Sequence, residues 1–186
     1  TSAGYDAPAQ GEGNLGKFIS PRARKLAAEN ASALFQFAES GIPVIGLEPS
    51  ALLTFRDEYK RFGLPAQYAD AIAANCHLAE EFLAAEARAG NIGPAAFTRE
   101  SRRLKIHTHC HQKALSDQKS TFDALTLPEN YQATLIPAGC CGMAGSFGYE
   151  KEHYELSMTI GEMVLFPEIR KTSDKQLISA PGTSCR

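Results

Sequence analysis

Short apolar segments recur along the chain, and each is followed at once by a turn rich in small residues. These segments occupy residues 43–47, 104–108, 133–136 and 176–179, with helix-forming stretches between them. Alternation of strand and helix predicts an α/β fold: an open, mostly parallel sheet of about four strands with helices on both faces. Residues 43–47 lack polar alternation, which predicts a strand covered on both faces. At 186 residues the chain suffices for one such domain.

Apolar residues at helical spacing predict the helices. We expect them over residues 20–41, after the turn at 48–50, over 65–89 and over 149–166. Ser20 and Pro21 form a typical helix start, and Gly41 a typical helix end. The helix over 65–89 is expected to bury Cys76 and Leu83 on one stripe, which makes Cys76 a core residue.

Charge and hydropathy exclude several classes of protein. Nineteen Lys and Arg against 21 Asp and Glu give a formal net charge of -2, so no positive field favours nucleic acid or anionic lipid. No apolar run reaches the roughly 18 to 20 residues of a membrane-spanning helix, and the first twenty residues lack a signal-peptide pattern. We therefore expect a soluble, cytoplasmic protein with no nucleic-acid partner and no transmembrane segment.

Residues 1–19 are small, polar and rich in glycine, and we expect a flexible lead-in there. Gly11, Gly13 and Gly16 fit the spacing of a dinucleotide-binding loop. Because no predicted strand precedes them, we do not expect a nucleotide site. Residues 20–186 then form the domain, which we interpret as part of a longer protein because the chain begins at Thr1.

Four of the five cysteines follow predicted strands: Cys110, Cys140, Cys141 and Cys185. The carboxyl ends of parallel strands meet at one edge of a sheet, so these thiols are expected to converge. Clustered thiolates repel one another unless a metal neutralises them, and iron–sulfur clusters are typically held by four cysteines. Glycines at 139, 142, 145 and 148 suit a backbone that wraps closely around such a group.

Three other interpretations of the cysteines stay open. The GCCG segment is also compatible with a tight glycine turn that holds incidental core cysteines. A structural or docking module would bind zinc through the same four thiolates, with or without a histidine. A Cys/His hydrolase or thiol transferase would use Cys110 as an activated thiolate between two histidines, but it leaves the adjacent cysteine pair unexplained.

Histidines alternate around the first of these cysteines. If the segment stays extended, His107, His109 and His111 share one face and Cys110 lies on the other. His109 or His111 would then donate a hydrogen bond to a cluster sulfur or replace a thiolate as ligand. Solvated or helix-capping histidines are the alternative.

The segments HTHCHQKAL, GCCGMAGSFGYEKEHYELSM and APGTSCR together resemble the cysteine-rich CCG domain. The likeness covers residues 19–186 and is strongest to the C-terminal iron–sulfur part of FAD-linked oxidases of the D-lactate and glycolate dehydrogenase type. It extends, more distantly, to the CCG domains of heterodisulfide reductase and of anaerobic glycerol-3-phosphate dehydrogenase. The resemblance implies a 4Fe-4S type cluster held by Cys110, Cys140, Cys141 and Cys185.

The resemblance also implies an electron-transfer role with partners. FAD on a separate domain or subunit would take a hydride equivalent from a 2-hydroxy acid, and a further iron–sulfur domain would pass electrons onward. The sequence supplies no flavin fold, so the isolated chain is not expected to turn over substrate. The protein would then be cytoplasmic or lie on the inner face of the membrane through its partners. Ala51 stands where the family's first cysteine motif ends, which implies one cluster rather than two.

Overall fold

A computed structural model describes residues 20–186, so the expected lead-in and its glycine spacing lie outside the described residues. The strands are β1 (Val44–Gly46), β2 (Cys76–Leu78), β3 (Arg102–Ile106), β4 (Tyr131–Leu135) and β5 (Gln176–Ser179). The helices are α1 (Pro21–Glu39), α2 (Pro49–Leu52), α3 (Ala66–Asn75), α4 (Ala79–Arg88), α5 (Cys110–Leu115), α6 (Lys119–Leu125), α7 (Tyr154–Met163) and α8 (Leu165–Arg170). Short 3₁₀ turns lie at Leu53–Phe55, Glu58–Arg61, Pro94–Ala96, Phe147–Tyr149, Lys151–His153 and Thr183–Cys185.

All strand pairings within residues 20–186 are parallel, which confirms the α/β class. The strands form two sheets rather than the single one expected: β1 pairs with β2, and β3 lies between β4 and β5. In the larger sheet Leu104 is opposite both Ala133 and Leu177. The four predicted strands all form, and β2 is an additional one.

The predicted helix over residues 65–89 is wrong as one element, because β2 interrupts it. Cys76 takes an extended conformation with φ -92° and ψ 131°, and its strand pairs with β1. The Glu81 side chain accepts a hydrogen bond of 2.8 Å from the Leu78 amide and so starts α4 afresh. Cys76 is fully buried as predicted, but Leu83 is 36% exposed, because the interruption changes the face that α4 presents to the core.

The first helix begins and ends as its caps predict. Ser20 Oγ accepts a hydrogen bond of 3.1 Å from the Ala23 amide, and Gly41 ends the helix with φ 71°. Small residues on its inner face pack with Tyr59 and Ile72 in a core cluster, which also contains Ala27, Ala31 and Ala38.

β1 is less covered than its apolar sequence predicts. Gly46 lies against Leu52, so closely that a Cβ atom at Gly46 would be 2.7 Å from Leu52 Cδ1. On the other side Ile45 is 46% exposed, and Leu47 just beyond the strand is 78% exposed. The expectation of cover on both faces is therefore wrong for the described part of the chain, because Gly46 packs on Leu52 of α2 while the Ile45 side chain stays largely exposed.

The predicted helix over residues 149–166 begins later and is divided. Two 3₁₀ turns precede α7, which starts at Tyr154. Val164, with φ -144°, separates α7 from α8. Every helix in residues 20–186 is too short or too polar to cross a membrane.

Candidate metal centre

Three turns meet at the carboxyl ends of β3, β4 and β5. The His107 amide donates to the Ser179 carbonyl at 2.9 Å, and the Ile136 amide donates to the Ile106 carbonyl at 2.8 Å. These hydrogen bonds continue the sheet beyond its strands and hold the three departing segments side by side. The cysteine-bearing turns after these strands therefore leave from one edge, as a parallel sheet requires.

The turns bring together one nitrogen and two sulfur donors. A ring nitrogen of His107 and the Sγ atoms of Cys141 and Cys185 all lie within 4.8 Å of one another. His107 and Cys141 are buried, and Cys185 is half-buried. Thiolate and imidazole donors suit zinc and iron, so the group has the chemistry of a metal site.

The other two predicted ligands lie around this group rather than within it. Cys110 is the first residue of α5, and the Cys140 sulfur accepts a hydrogen bond of 3.3 Å from the Gly142 amide. Burial raises the pKa of the Cys110 thiol, and the nearby Cys140 and Cys141 raise it further. The four thiols therefore lie near one another, although only Cys141 and Cys185 belong to the compact group.

A cavity of about 610 Å³ opens over the cysteines. The sulfur-bearing residues on its wall are Cys110, Cys141 and Cys185, and His109 and His111 complete that side. The volume is within the range of ordinary ligand pockets, roughly 300–1,000 Å³. It leaves room for an inorganic group larger than a single ion.

Of the four glycines expected to shape this region, Gly142 and Gly145 take left-handed conformations, and Gly139 and Gly148 do not. Gly142 has φ 98° and Gly145 has φ 70°, and Ala144 between them has φ 43°. A Cβ atom at Gly142 would overlap the backbone carbonyl of Ser157 on α7. Gly142 therefore allows the loop to press against α7, which fixes the direction of the Cys141 side chain. By contrast, Gly139 has open space around its Cβ position.

The pKa values of the two cysteines of the compact group are shifted in opposite directions. The pKa of the Cys141 thiol is lowered, first because the Cys185 thiol donates toward its sulfur and second because His107 lies beside it. The same contact with Cys141, together with burial, raises the pKa of Cys185. A cation bound between them would favour both thiolates and remove this difference.

Lys113 places a positive charge beside the cysteine turns. Its Nζ donates hydrogen bonds to the carbonyl oxygens of Ala138 and Gly139, the second at 3.1 Å. Burial lowers the pKa of Lys113, and the surrounding cysteines oppose that effect. The ammonium group therefore anchors the turn before Cys140 and partly offsets thiolate charge.

His109 acts as a helix cap, which is the alternative to a role at a cluster. Its Nδ1 accepts a hydrogen bond of 3.1 Å from the His111 amide at the start of α5. Because α5 begins at Cys110, the segment does not stay extended, so the condition for three histidines on one face is not met. The Cys110 sulfur is 4.0 Å from this occupied nitrogen, so the arrangement does not favour an activated Cys110 nucleophile.

His107 is the residue of the compact group that sequence reasoning missed as a donor. The alternating histidines directed attention to the pair that flanks Cys110, His109 and His111. The available signal was its position, since His107 directly follows β3 at the edge where ligands gather.

The chain is similar to parts of two kinds of dehydrogenase. It is 30% identical to D-2-hydroxyglutarate dehydrogenase of Escherichia coli K12 over 166 residues, which cover 89% of this chain and 15% of that protein. It is 29% identical to the Pseudomonas putida D-2-hydroxyglutarate dehydrogenase over 188 residues, 96% of this chain and 16% of that protein. Against one subunit of the anaerobic glycerol-3-phosphate dehydrogenase of E. coli K12 the identity is 28% over 168 residues, 89% of this chain and 40% of the subunit's own length.

The chain thus spans about a sixth of the length of the D-2-hydroxyglutarate dehydrogenases that it matches. No family model matches it. No solved structure matches it.

Proposed function

We propose that this chain is an iron–sulfur cluster-binding electron-transfer domain of an FAD-linked 2-hydroxy-acid oxidoreductase. The observation that carries the proposal is the group of His107, Cys141 and Cys185 at the sheet edge, with Cys110 and Cys140 beside it. The similarity to dehydrogenases over about nine-tenths of the chain supports an oxidoreductase role.

The residues present fit such a cluster. Cys110, Cys141 and Cys185 face a cavity of about 610 Å³, and the left-handed backbone at Gly142 and Gly145 lets the loop run close to its contents. His107 is buried, and neither of its ring nitrogens has a hydrogen-bond partner within the described residues, as expected of a metal-binding donor. We therefore propose Cys110, Cys140, Cys141 and Cys185 as cluster ligands.

When bound, the cluster supplies one-electron chemistry. The chain's own contribution is to hold the sulfurs in place, to limit water and to offset charge. α7 supports the loop of Cys141 through the close contact at Gly142, and Lys113 anchors the turn that precedes Cys140. Fixed donors and low solvent access are the means by which a protein sets a reduction potential.

FAD would reside on a separate domain or subunit, and a further iron–sulfur domain would pass the electrons onward. The names of the matching relatives make D-2-hydroxyglutarate a substrate to test beside D-lactate and glycolate. In this proposal the FAD domain or subunit oxidises the acid, and this chain receives the electrons.

Zinc is the second candidate, and the compactness of the metal group favours it. Three donors within 4.8 Å of one another suit a single ion at about 2.0–2.3 Å from each. Zinc would make the domain a structural or docking module with no redox chemistry of its own.

Reduction separates the two candidates. Chain purified without oxygen is titrated with dithionite while its visible absorbance is followed, and then reoxidised. We expect a brown protein whose absorbance bleaches and returns, in the wild type and in Cys76→Ala, but not in Cys110→Ala. Colourless wild-type protein whose visible absorbance does not change on reduction would contradict the electron-transfer proposal.

A further inference from the structure

His107 is a deeply buried histidine with no hydrogen-bond partner among residues 20–186. The side chain belongs to a residue that is only 1% exposed, and neither Nδ1 nor Nε2 has a partner in the part of the chain that the structure describes. Burial deprives both ring nitrogens of water, which is costly unless another group replaces it. A buried imidazole of this kind therefore indicates a contact that protein atoms do not supply.

The position of the ring indicates what that contact is. One ring nitrogen of His107 lies within 4.8 Å of the sulfurs of Cys141 and Cys185. The backbone of His107 is fixed by its hydrogen bond to Ser179, so the ring projects from the end of a paired strand rather than from a mobile loop. Neutral imidazole is a common metal ligand, and two neighbouring sulfurs complete a typical donor set.

We infer that His107 is itself a metal ligand, which binds through a ring nitrogen beside Cys141 and Cys185. This inference rests on the proposed function. It adds a neutral nitrogen donor, the His107 ring, to the four proposed thiolate ligands. It assigns to His107 the role considered from sequence for His109 and His111. His109 already uses Nδ1 to cap α5, and His111 lies outside the compact group.

A neutral imidazole would change the redox behaviour of the centre. A histidine ligand brings no negative charge to the centre, whereas a cysteine at the same position would add a thiolate and so disfavour the reduced state. His107→Cys makes that change. We expect this variant to retain iron and to have a lower reduction potential than the wild type.

The test is pulsed EPR of the dithionite-reduced protein, with and without ¹⁵N-labelled histidine. We expect a strong nitrogen hyperfine coupling that changes on labelling, disappears in His107→Cys and persists in His109→Asn and His111→Asn. His77→Asn, on β2, serves as the matched control and is expected to leave the spectrum unchanged.

Two results would overturn the assignment while iron is still bound: a coupling that survives in His107→Cys, or a wild-type coupling no larger than that of a hydrogen-bonded nitrogen. Absence of iron from the wild type would contradict the proposed function instead. If zinc is then present, X-ray absorption at the zinc edge gives the same decision, because nitrogen scattering must fall in His107→Cys. A wild type without any metal contradicts both.

Discussion

Glu48 accepts two hydrogen bonds from Thr183, one from its amide and one from its hydroxyl, each 2.7 Å long, across 135 residues of sequence. Glu48 follows β1, and Thr183 begins the 3₁₀ turn that carries Cys185. The contact therefore joins the turn after β1 to one of the cysteine-bearing turns. Ala51, where the first cysteine motif would end, lies exposed on α2 near this contact.

The Glu48 contact predicts a pH-dependent contribution to stability. Burial opposes ionisation, but hydrogen bonds from Ser50 and Thr183 outweigh it and lower the pKa of Glu48 to about 2, from an ordinary 4.5. A depressed carboxyl pKa stabilises the fold above pH 4.5, and this stabilisation is lost as the pH falls towards 2. Glu48→Gln should cost roughly 1 kcal/mol at neutral pH, a value reduced by solvent screening.

Urea unfolding of wild type and Glu48→Gln at several pH values tests this contribution. The difference in unfolding free energy should shrink as the pH is lowered through the acidic range. Glu39→Gln, at the exposed end of α1, is the control and should show no such trend. A Glu48→Gln difference that stays constant from neutral to acid pH would contradict the account.

Gly142 and Gly145 offer a matched pair within the cysteine loop. Both have positive φ, but a Cβ atom meets the Ser157 carbonyl at Gly142 and open space at Gly145. Gly145→Ala should cost about 1 kcal/mol from backbone strain alone. Gly142→Ala should cost about 3 kcal/mol and reduce bound metal, because α7 must move. Equal costs for the two variants in urea unfolding would show that the loop does not press on α7.

Local sequence patterns predict the elements whose structure depends on neighbouring residues. They fail where pairing with a distant segment determines the structure. Ser20 caps α1 through its own helix, so its role is visible in sequence. Cys76 lies in a run of good helix formers, yet its backbone pairs with Val44, 32 residues away in a parallel register. Propensity alone cannot reveal that pairing, since tertiary contacts override it.

Some features of the candidate site could likewise be predicted from the sequence, and others could not. Strand ends and the GCCG spacing predict that Cys141 and Cys185 approach each other, because parallel strands share an edge. The donor role of His107 depends on how deeply it is buried and on the lack of a hydrogen-bond partner for its ring within the described residues. Neither quantity can be derived from an alternating row of histidines.

The ion pair between Arg56 and Glu81 is predicted to stabilise the junction between β2 and α4. Arg56 Nη1 donates to Glu81 at 2.9 Å, and Ser116 of the turn after α5 also donates to this carboxylate. The side chains are only 21% and 12% exposed, so removing one partner leaves the other charge with few contacts. Glu81→Ala should cost about 3 kcal/mol in chemical denaturation.

A double-mutant cycle isolates the pair. Arg56→Met combined with Glu81→Leu should be less destabilising than the sum of the single variants, because no charge is left unpaired. Glu162→Ala, which removes an exposed pair with Arg170, should have no measurable effect. Strict additivity of Arg56→Met and Glu81→Leu would mean that the ion pair contributes nothing.

The isolated chain is predicted not to oxidise 2-hydroxy acids. The proposed cluster would carry electrons, but the proposed hydride acceptor is FAD on another domain or subunit. Dye-linked assays with D-lactate, glycolate and D-2-hydroxyglutarate should therefore give no turnover above that of the Cys141→Ser variant. Robust turnover by the purified chain alone would contradict the prediction that a separate FAD domain or subunit is required.

Iron, acid-labile sulfide and zinc, determined together on protein purified without oxygen, test the central claim most directly. The account predicts about four irons and four sulfides per chain. It also predicts that Cys141→Ser loses both, whereas Cys76→Ala, whose cysteine is in the core away from the centre, retains them. One zinc per chain without sulfide in the wild type would contradict the claim.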